Sequence, residues 1–359
     1  MKVLVSGASV AGPVLAFWLR RHGYEVTVVE RAPAPRKGGQ AVDIRGTALT
    51  VAAKMGVLDQ IRDMRTTMRG MSMVDHDGNE LMRDTEGTLS GGRFDSTDIE
   101  IMRDDLIAVL MAASDADYRY ADSIAALTPD GEVRFESGEH DRYDYVIGAD
   151  GLHSNVRDLV FGPASGFLRH LGTYLSLFTA DNFAGLDHWQ TWFTEGEAGG
   201  ALFSDRDTGV MRVNLGFSSA PIDYDHRDIE QQKRLVERHC SEVYLGPKLI
   251  EAMWKSDDFY FAAMAQVRME RWSKGRVALV GDAGYCPSPL SGQGTSLAIV
   301  GAYVLAQELG AGQEGAFERY ERRMRPFVAQ NQALALENPD KGNAAQESVQ
   351  KAANSLRVD

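Results

Sequence analysis

Three glycine-flanked stretches carry the residues best suited to chemistry. The first is Gly7-Ala8-Ser9-Val10-Ala11-Gly12, directly after Val3-Leu4-Val5. A dinucleotide-binding turn wants glycine first for a sharp bend and a small third residue so that a pyrophosphate reaches the backbone. Its last glycine lets helix and strand pack closely. Here the third position is Ser9, whose hydroxyl can donate to phosphate. Glu30 lies where a carboxylate accepts hydrogen bonds from an adenosine ribose, ~20 residues on. A glutamate there disfavours a 2′-phosphate, so the tightly held nucleotide is expected to be FAD or NAD, with Arg31 beside it in the cofactor set.

The second stretch runs Gly148-Ala149-Asp150-Gly151-Leu152-His153-Ser154-Asn155-Val156-Arg157. The third begins at Arg276-Val277-Ala278-Leu279-Val280-Gly281-Asp282-Ala283 and continues through Pro289 to Gly292-Gln293-Gly294-Thr295-Ser296. Asp282 ends an apolar strand at its carboxyl edge, where open α/β sheets bind ligands. Gly292 and Gly294 open a helix whose free N–H groups face the same crevice and favour a negative charge by ~0.3–1 kcal/mol. A reduced, anionic flavin suits such a place.

The elements that position these stretches are legible in the periodicity. Val3–Val5, the helix from Pro13 to Gly23 and Val26–Val29 form a βαβ unit, whose apolar strands imply a parallel sheet covered on both faces. Helices are predicted over 47–55, 104–113, 228–240, 295–309 and 316–336, and a strand over 143–147. Residues 174–261 change to aromatic-rich alternating strands. In Val210-Met211-Arg212-Val213-Asn214-Leu215, Arg212 and Asn214 share one face and the apolar residues the other. That leaves two readings open: Arg212 and Asn214 face either a ligand cleft or solvent. The tail beyond Pro339 is polar and offers no motif.

Taken together, these motifs resemble the group A FAD-dependent aromatic hydroxylases with the para-hydroxybenzoate hydroxylase fold, over nearly the whole chain. The stretch Arg93-Phe94-Asp95 to Leu106 and the spacing from Gly38 to Gly56 look like the tetracycline-inactivating and actinobacterial polyketide hydroxylase branch. The resemblance implies that Glu30 holds the FAD ribose, Asp282 the ribityl chain, and Asp150 the pyrophosphate region. It also implies that Arg103 lies near the FAD phosphates, and that Arg45 borders the flavin ring. NADPH or NADH would be a transient electron donor, and O2 would react through a flavin C4a-hydroperoxide. The family usually has His at Tyr285, Asn at Ser296 and Asp at Gly301, so Arg45, Arg212 and Tyr285 are carried as candidates for positioning flavin or substrate.

The expected fold is thus α/β. A Rossmann-type FAD-binding domain with a parallel sheet is drawn from 1–70, 97–171 and 265–312. A smaller mixed or antiparallel-sheet substrate domain covers 71–96 and 172–264, and the C-terminal helices, one bridging, cover 313–359. The expected activity is FAD-dependent hydroxylation of an aromatic or polyketide-like small molecule. Two alternatives stand beside it: a flavin-dependent reductase or dehydrogenase, and a flavin- or drug-binding protein without turnover. A formal charge of −13 opposes nucleic-acid binding. The eight histidines lack metal-ligand spacing, and two distant cysteines exclude a disulfide framework or dithiol pair. Gly7, Ser9, Gly12 and Pro13 interrupt the N-terminal apolar run, so it is read as neither signal peptide nor membrane span. The chain is expected to be cytoplasmic, as a monomer or homodimer.

Overall fold

The architecture, in a computed structural model that describes residues 1–35, 38–337 and 344–358, rests on two sheets. The first has six strands in the order Ser273–Lys274, Val277–Leu279, Tyr145–Gly148, Lys2–Ser6, Glu25–Glu30, Asp117–Tyr120. Every neighbouring pair is parallel except the first, which is antiparallel. The three central strands are buried through Val3, Leu4, Val5, Val146, Ile147 and Val277, as strands covered on both faces must be. The helix Ala11–Arg21 packs against Gly294–Ala311, with Trp18 edge-on to Tyr303 at 4.9 Å between ring centroids. Gly294–Ala311, hereafter the crevice helix, is buried on nearly every side because Ala316–Leu334 covers it from without.

The second sheet has seven strands in the order Tyr260–Val267, Leu168–Asp181, Val210–Ser218, Ala198–Ser204, Trp189–Glu195, Gly70–Val74, Glu80–Asp84. All pairs are antiparallel save Gly70–Val74, which runs parallel to Trp189–Glu195. The alternation expected over 210–215 is present: Met211, Val213 and Leu215 are fully buried, while Arg212 and Asn214 are half-buried on the other side. Behind the apolar face lie the helices Ile229–Cys240, capped by Asp228, and Gly246–Lys255. On the front face, Leu175, Leu177 and Met264 pack with Leu290, in the loop leading to the crevice helix. This part of the front face thus lies against the loop leading to the crevice helix, and Arg212 and Asn214, on the same face, are partly rather than fully exposed.

The tail holds more structure than its sequence suggested, although Pro339 itself lies outside the described residues. Gln346–Ala353 is a helix whose Ala352 and Ala353 are buried. It docks on the segment that follows the ribbon strand Ala41–Ile44. A Cβ on Gly46 would lie 2.5 Å from the Ala353 carbonyl oxygen, so only glycine fits there. Thr47 Oγ1 donates to the Leu356 carbonyl at 2.5 Å, and Gln350 Nε2 donates to Asp98 Oδ2 at 2.5 Å. Removing residues 345–359 deletes these bonds, each worth a net ~0.5–1.5 kcal/mol. The truncated protein should melt lower by about 1–1.5 °C for each kcal/mol lost, as read by calorimetry; an unchanged midpoint would show the docking to be energetically idle.

Candidate functional site

At the carboxyl edge of the first sheet, backbone packs on backbone. Gly7 has φ +111°, and a Cβ there would come within 2.4 Å of the Ala149 carbonyl oxygen. A Cβ on Gly12 would meet the Gly7 carbonyl oxygen at 2.0 Å. Both glycines of the turn are thus dictated by contact, while Ser9 is exposed at its apex and Val10 and Ala11 are buried beneath. Glu30 ends its strand and accepts from Ala8 N at 3.0 Å and Ala32 N at 2.9 Å, so it braces the turn; Arg31 beside it is exposed. Gly281, at φ +64°, approaches Ala11 and Ala298, where the first helix and the crevice helix meet through small residues.

Two helix N-termini open on this crevice. Neither Ala11–Arg21 nor the crevice helix has a side-chain cap or an acidic residue in its first turn. By contrast Asn155–Phe161 is capped by Ser154, which accepts from Arg157 N. The unmet first-turn N–H groups at the crevice are those that a phosphate or an anionic ring would satisfy. Between Gly292 and Gly294, Gln293 is fully buried, and neither of its amide atoms has a protein partner among the described residues. Pro289, Gly292, Gly294 and Thr295 line the loop around it with partial or full exposure.

Asp282 follows Gly281 at the end of Val277–Leu279, its Oδ1 4.0 Å from where a Gly294 Cβ would stand. Burial pushes its carboxyl above the usual carboxylate range. Asp150 is satisfied within the chain, because Oδ1 accepts from Ser154 Oγ at 2.5 Å and Oδ2 from Val156 N at 3.0 Å. Arg157, quoted within its motif but given no role from sequence, is fully buried and ties the two loops together. Its Nη1 donates to the Ala283 carbonyl at 3.1 Å and its Nη2 to the Leu152 carbonyl at 2.8 Å. The signal for it was an arginine set between Val156 and Val160, the buried apolar residues of its short helix.

The arginine candidates are more constrained than their positions suggested. The Arg45 guanidinium is committed to Asp43 at 2.8 Å, Asp98 at 3.2 Å and the Ser90 carbonyl at 3.2 Å. Its backbone N–H donates to Ser296 Oγ at 3.0 Å, so the buried Ser296 hydroxyl anchors this segment to the first turn of the crevice helix. Arg103 begins the helix Arg103–Ser114 and lies under Gly39, whose Cβ would meet its Nε at 3.2 Å. Arg212 pairs with Asp258 at 3.4 Å and donates to Thr179 Oγ1. Burial opposes ionisation of Asp258, yet bonds from Thr179 and Ser256 hold its carboxyl below the usual value.

Tyr285 requires a correction. Its ring is 1% exposed in the interior, its hydroxyl receives a bond from Tyr320 at 2.8 Å, and its ring lies 4.6 Å from Trp272. The phenol occupies the space that a side chain at position 301 would need, since a Gly301 Cβ would stand 2.0 Å from its oxygen. Tyrosine at 285 and glycine at 301 are therefore complementary volumes in the core. Tyr285 cannot touch a ligand in the crevice, and burial pushes its hydroxyl up to about 12.

A parallel sheet whose carboxyl edge carries a glycine cradle, a strand-end glutamate, two uncapped helix N-termini and an orphaned buried amide is the site of a dinucleotide-binding flavoprotein. The match to the FAD binding domain family model over residues 1–335 agrees with that geometry, and the chain belongs to this family of flavin-dependent monooxygenases. It is 47% identical over 366 residues to an uncharacterized protein of Mycobacterium tuberculosis, covering 99% of this chain and 98% of the relative. It is 42% identical over 342 residues to a flavin-dependent monooxygenase from an unknown prokaryotic organism, covering 93% and 88%. The crystal structure of tetracycline destructase Tet(51) superposes with a TM-score of 0.91 at 35% identity, over 100% of this chain and 99% of that one. The protein is an FAD-dependent oxidoreductase, and a transient NAD(P)H donor is typical of the family. No group of three metal-ligating side chains occurs among the described residues, nor is any helix among them long and apolar enough to cross a membrane.

The geometry yields two expectations. Asp282→Ala should weaken FAD ten- to hundredfold, because a hydrogen bond to a charged group is worth ~1.5–3 kcal/mol; an unchanged FAD dissociation constant would reduce Asp282 to a structural cap. The second concerns Asp43, whose carboxyl burial raises from 3.8 to about 7 against the pull of Arg45. The folded state then holds this proton more tightly than the unfolded one, so the group costs stability progressively as pH climbs from about 4 to about 7. Asp43→Asn should flatten that decline in melting temperature relative to the parent, and parallel curves would show that Asp43 does not titrate in this window.

Proposed function

We propose that the protein uses NADPH or NADH and O2 to hydroxylate an electron-rich aromatic or polyketide-like small molecule. The observation that supports this is the packing of Leu290 on Leu175, Leu177 and Met264. It brings the front of the seven-stranded sheet over the loop at the crevice helix, and a flat molecule held on that front would lie beside the cofactor cradle. Bound FAD, once reduced, supplies activation of O2 and transfer of one oxygen atom. The chain's own residues bind, orient and exclude water. Leu175, Leu177 and Met264 form an apolar wall that keeps water off the reacting face, and Asn214 offers an amide to a hydroxyl or carbonyl.

Because Asp258 offsets the charge of Arg212, the wall favours a phenol or enol over a carboxylate. Segments 1–70, 97–171 and 265–312 would serve the cofactor in this reading, and 71–96 with 172–264 the substrate. The likeness to the tetracycline destructase Tet(51) adds tetracyclines to the candidates.

Oxygen uptake and mass spectrometry on the holoprotein test this reading, with NADPH or NADH and a panel of phenols, naphthols and tetracyclines. The expected result is substrate-stimulated oxygen uptake with a product heavier by one oxygen atom. Nicotinamide oxidation without an oxygenated product, across the whole panel, would assign the protein to the reductases instead.

A further inference from the structure

The front of the strand Trp189–Glu195 carries two side chains that the reaction has not yet used, Gln190 and Trp192. Register places Trp192 opposite Ala201, Ala201 opposite Asn214, and Asn214 opposite Leu177. This row crosses three strand spacings, about 14 Å at ~4.8 Å each. Trp192 stands at one end and Leu177 at the other, with the short residues Ala201 and Asn214 between them. Trp192 is half-buried, which leaves part of its ring open. It is absent from the apolar cluster behind the sheet, where Trp189 and Phe193 of the same strand pack.

A hydrogen-bond chain fixes that ring. Trp192 Nε1 donates to Gln190 Oε1 at 3.0 Å, and Gln190 Nε2 donates to Ser90 Oγ at 2.7 Å. Ser90 Oγ donates to Glu100 Oε1 at 2.7 Å, and Glu100 Oε2 accepts from Thr66 Oγ1 at 2.7 Å. The direction is enforced. An indole N–H can only donate, so Gln190 must turn its carbonyl oxygen to Trp192 and its amino group to Ser90. Ser90 accepts that donor and spends its own proton on Glu100. Flipping the Gln190 amide would set N–H against N–H in a side chain that is 2% exposed. The Ser90 carbonyl meanwhile accepts from Arg45 Nη2, so the chain is anchored to the segment beside the crevice helix.

We infer that Trp192 is the aromatic wall on which a flat substrate ring packs, and that Glu100 is the positioning residue that sets its angle through Ser90 and Gln190. The inference rests on the proposed placement of substrate on this sheet. Glu100 touches neither substrate nor cofactor. Its part is to accept from Ser90, which a glutamine in its place no longer enforces because an amide can present either a donor or an acceptor. The wall gives the site a preference for planar aromatic rings over saturated ones, since offset ring stacking adds to simple burial.

The test has a ligand-independent arm and a ligand arm, both on the FAD-loaded full chain. In the first, near-ultraviolet circular dichroism of Trp192→Leu defines the signal of the immobilised indole. Glu100→Gln and Ser90→Ala should each lose at least half of that signal while binding FAD within twofold of the parent. Unchanged tryptophan dichroism in both variants overturns the positioning role, whatever the substrate is.

In the second arm, 1-naphthol and 5,6,7,8-tetrahydro-1-naphthol, which share a carbon skeleton and hydroxyl and differ in whether the second ring is aromatic and flat or saturated, are titrated against the flavin absorbance. The parent should prefer 1-naphthol by about three- to tenfold. That preference should vanish in Trp192→Leu and Glu100→Gln, with no further loss in the double variant. Equal affinity of the parent for both probes overturns the aromatic wall while leaving oxygenation in place. Oxygenated product from the panel assay together with no binding of either probe overturns the placement of substrate on this face.

Discussion

The whole site depends on a contact that leaves no room for side chains. Where Gly7 meets the Ala149 carbonyl and Gly12 meets the Gly7 carbonyl, the first turn packs backbone against backbone on itself and on a loop distant in sequence. A β-carbon at either position would push the first helix off the sheet and draw its N-terminus away from the crevice. Glu30 braces the same turn by accepting from Ala8 and Ala32. At the other side of the crevice Gly281 keeps the approach of Ala11 and Ala298 tight. The orientation of both uncapped helix ends follows from these contacts, and so does the capacity to hold a phosphorylated, redox-active ring.

Around that core the charges are arranged to cancel locally. Arg45 meets Asp43 and Asp98, Arg212 meets Asp258, and Arg157 meets two carbonyl oxygens and, at 3.8 Å, Asp158. A buried guanidinium without such partners would carry a desolvation cost of several kcal/mol. The consequence for the cleft is that its walls present mainly dipoles and apolar surface to a ligand, while its cations hold the loops in register.

Much of this was legible in the sequence because the determining interactions are local or periodic. The turn Gly7–Gly12, the strand-end Glu30 and the alternation around Arg212 all depend on spacings of fewer than about 25 residues. Asp282 at its strand end and the glycines that open the crevice helix were legible in the same local way. What escaped was set by complementarity at long range. Tyr285 looked like a ligand contact because a change of residue type there was read against a ligand, whereas its true partner is the empty volume at Gly301. The tail looked featureless because its docking depends on Gly46 and Thr47, and the Thr47–Leu356 bond spans 309 residues. Arg157 and Gln190 were visible as residues but not as connectors, since their hydrogen-bond partners lie far off in sequence, Ala283 for Arg157 and Ser90 for Gln190.

The strand order of the first sheet also governs when the site can come into being during synthesis. Lys2–Ser6 is made well before its neighbour Tyr145–Gly148 and the next strand, Val277–Leu279, and five strands of the seven-stranded sheet lie in chain order between those two. Until then one edge of the first βαβ unit lacks its partner and its apolar residues stay uncovered on the ribosome, where such edges invite mispairing or chaperones. Cofactor capture is therefore a late event. The crevice helix that completes the cradle follows the strands of both sheets in chain order, so capture of the flavin reports that both sheets have been made and joined correctly.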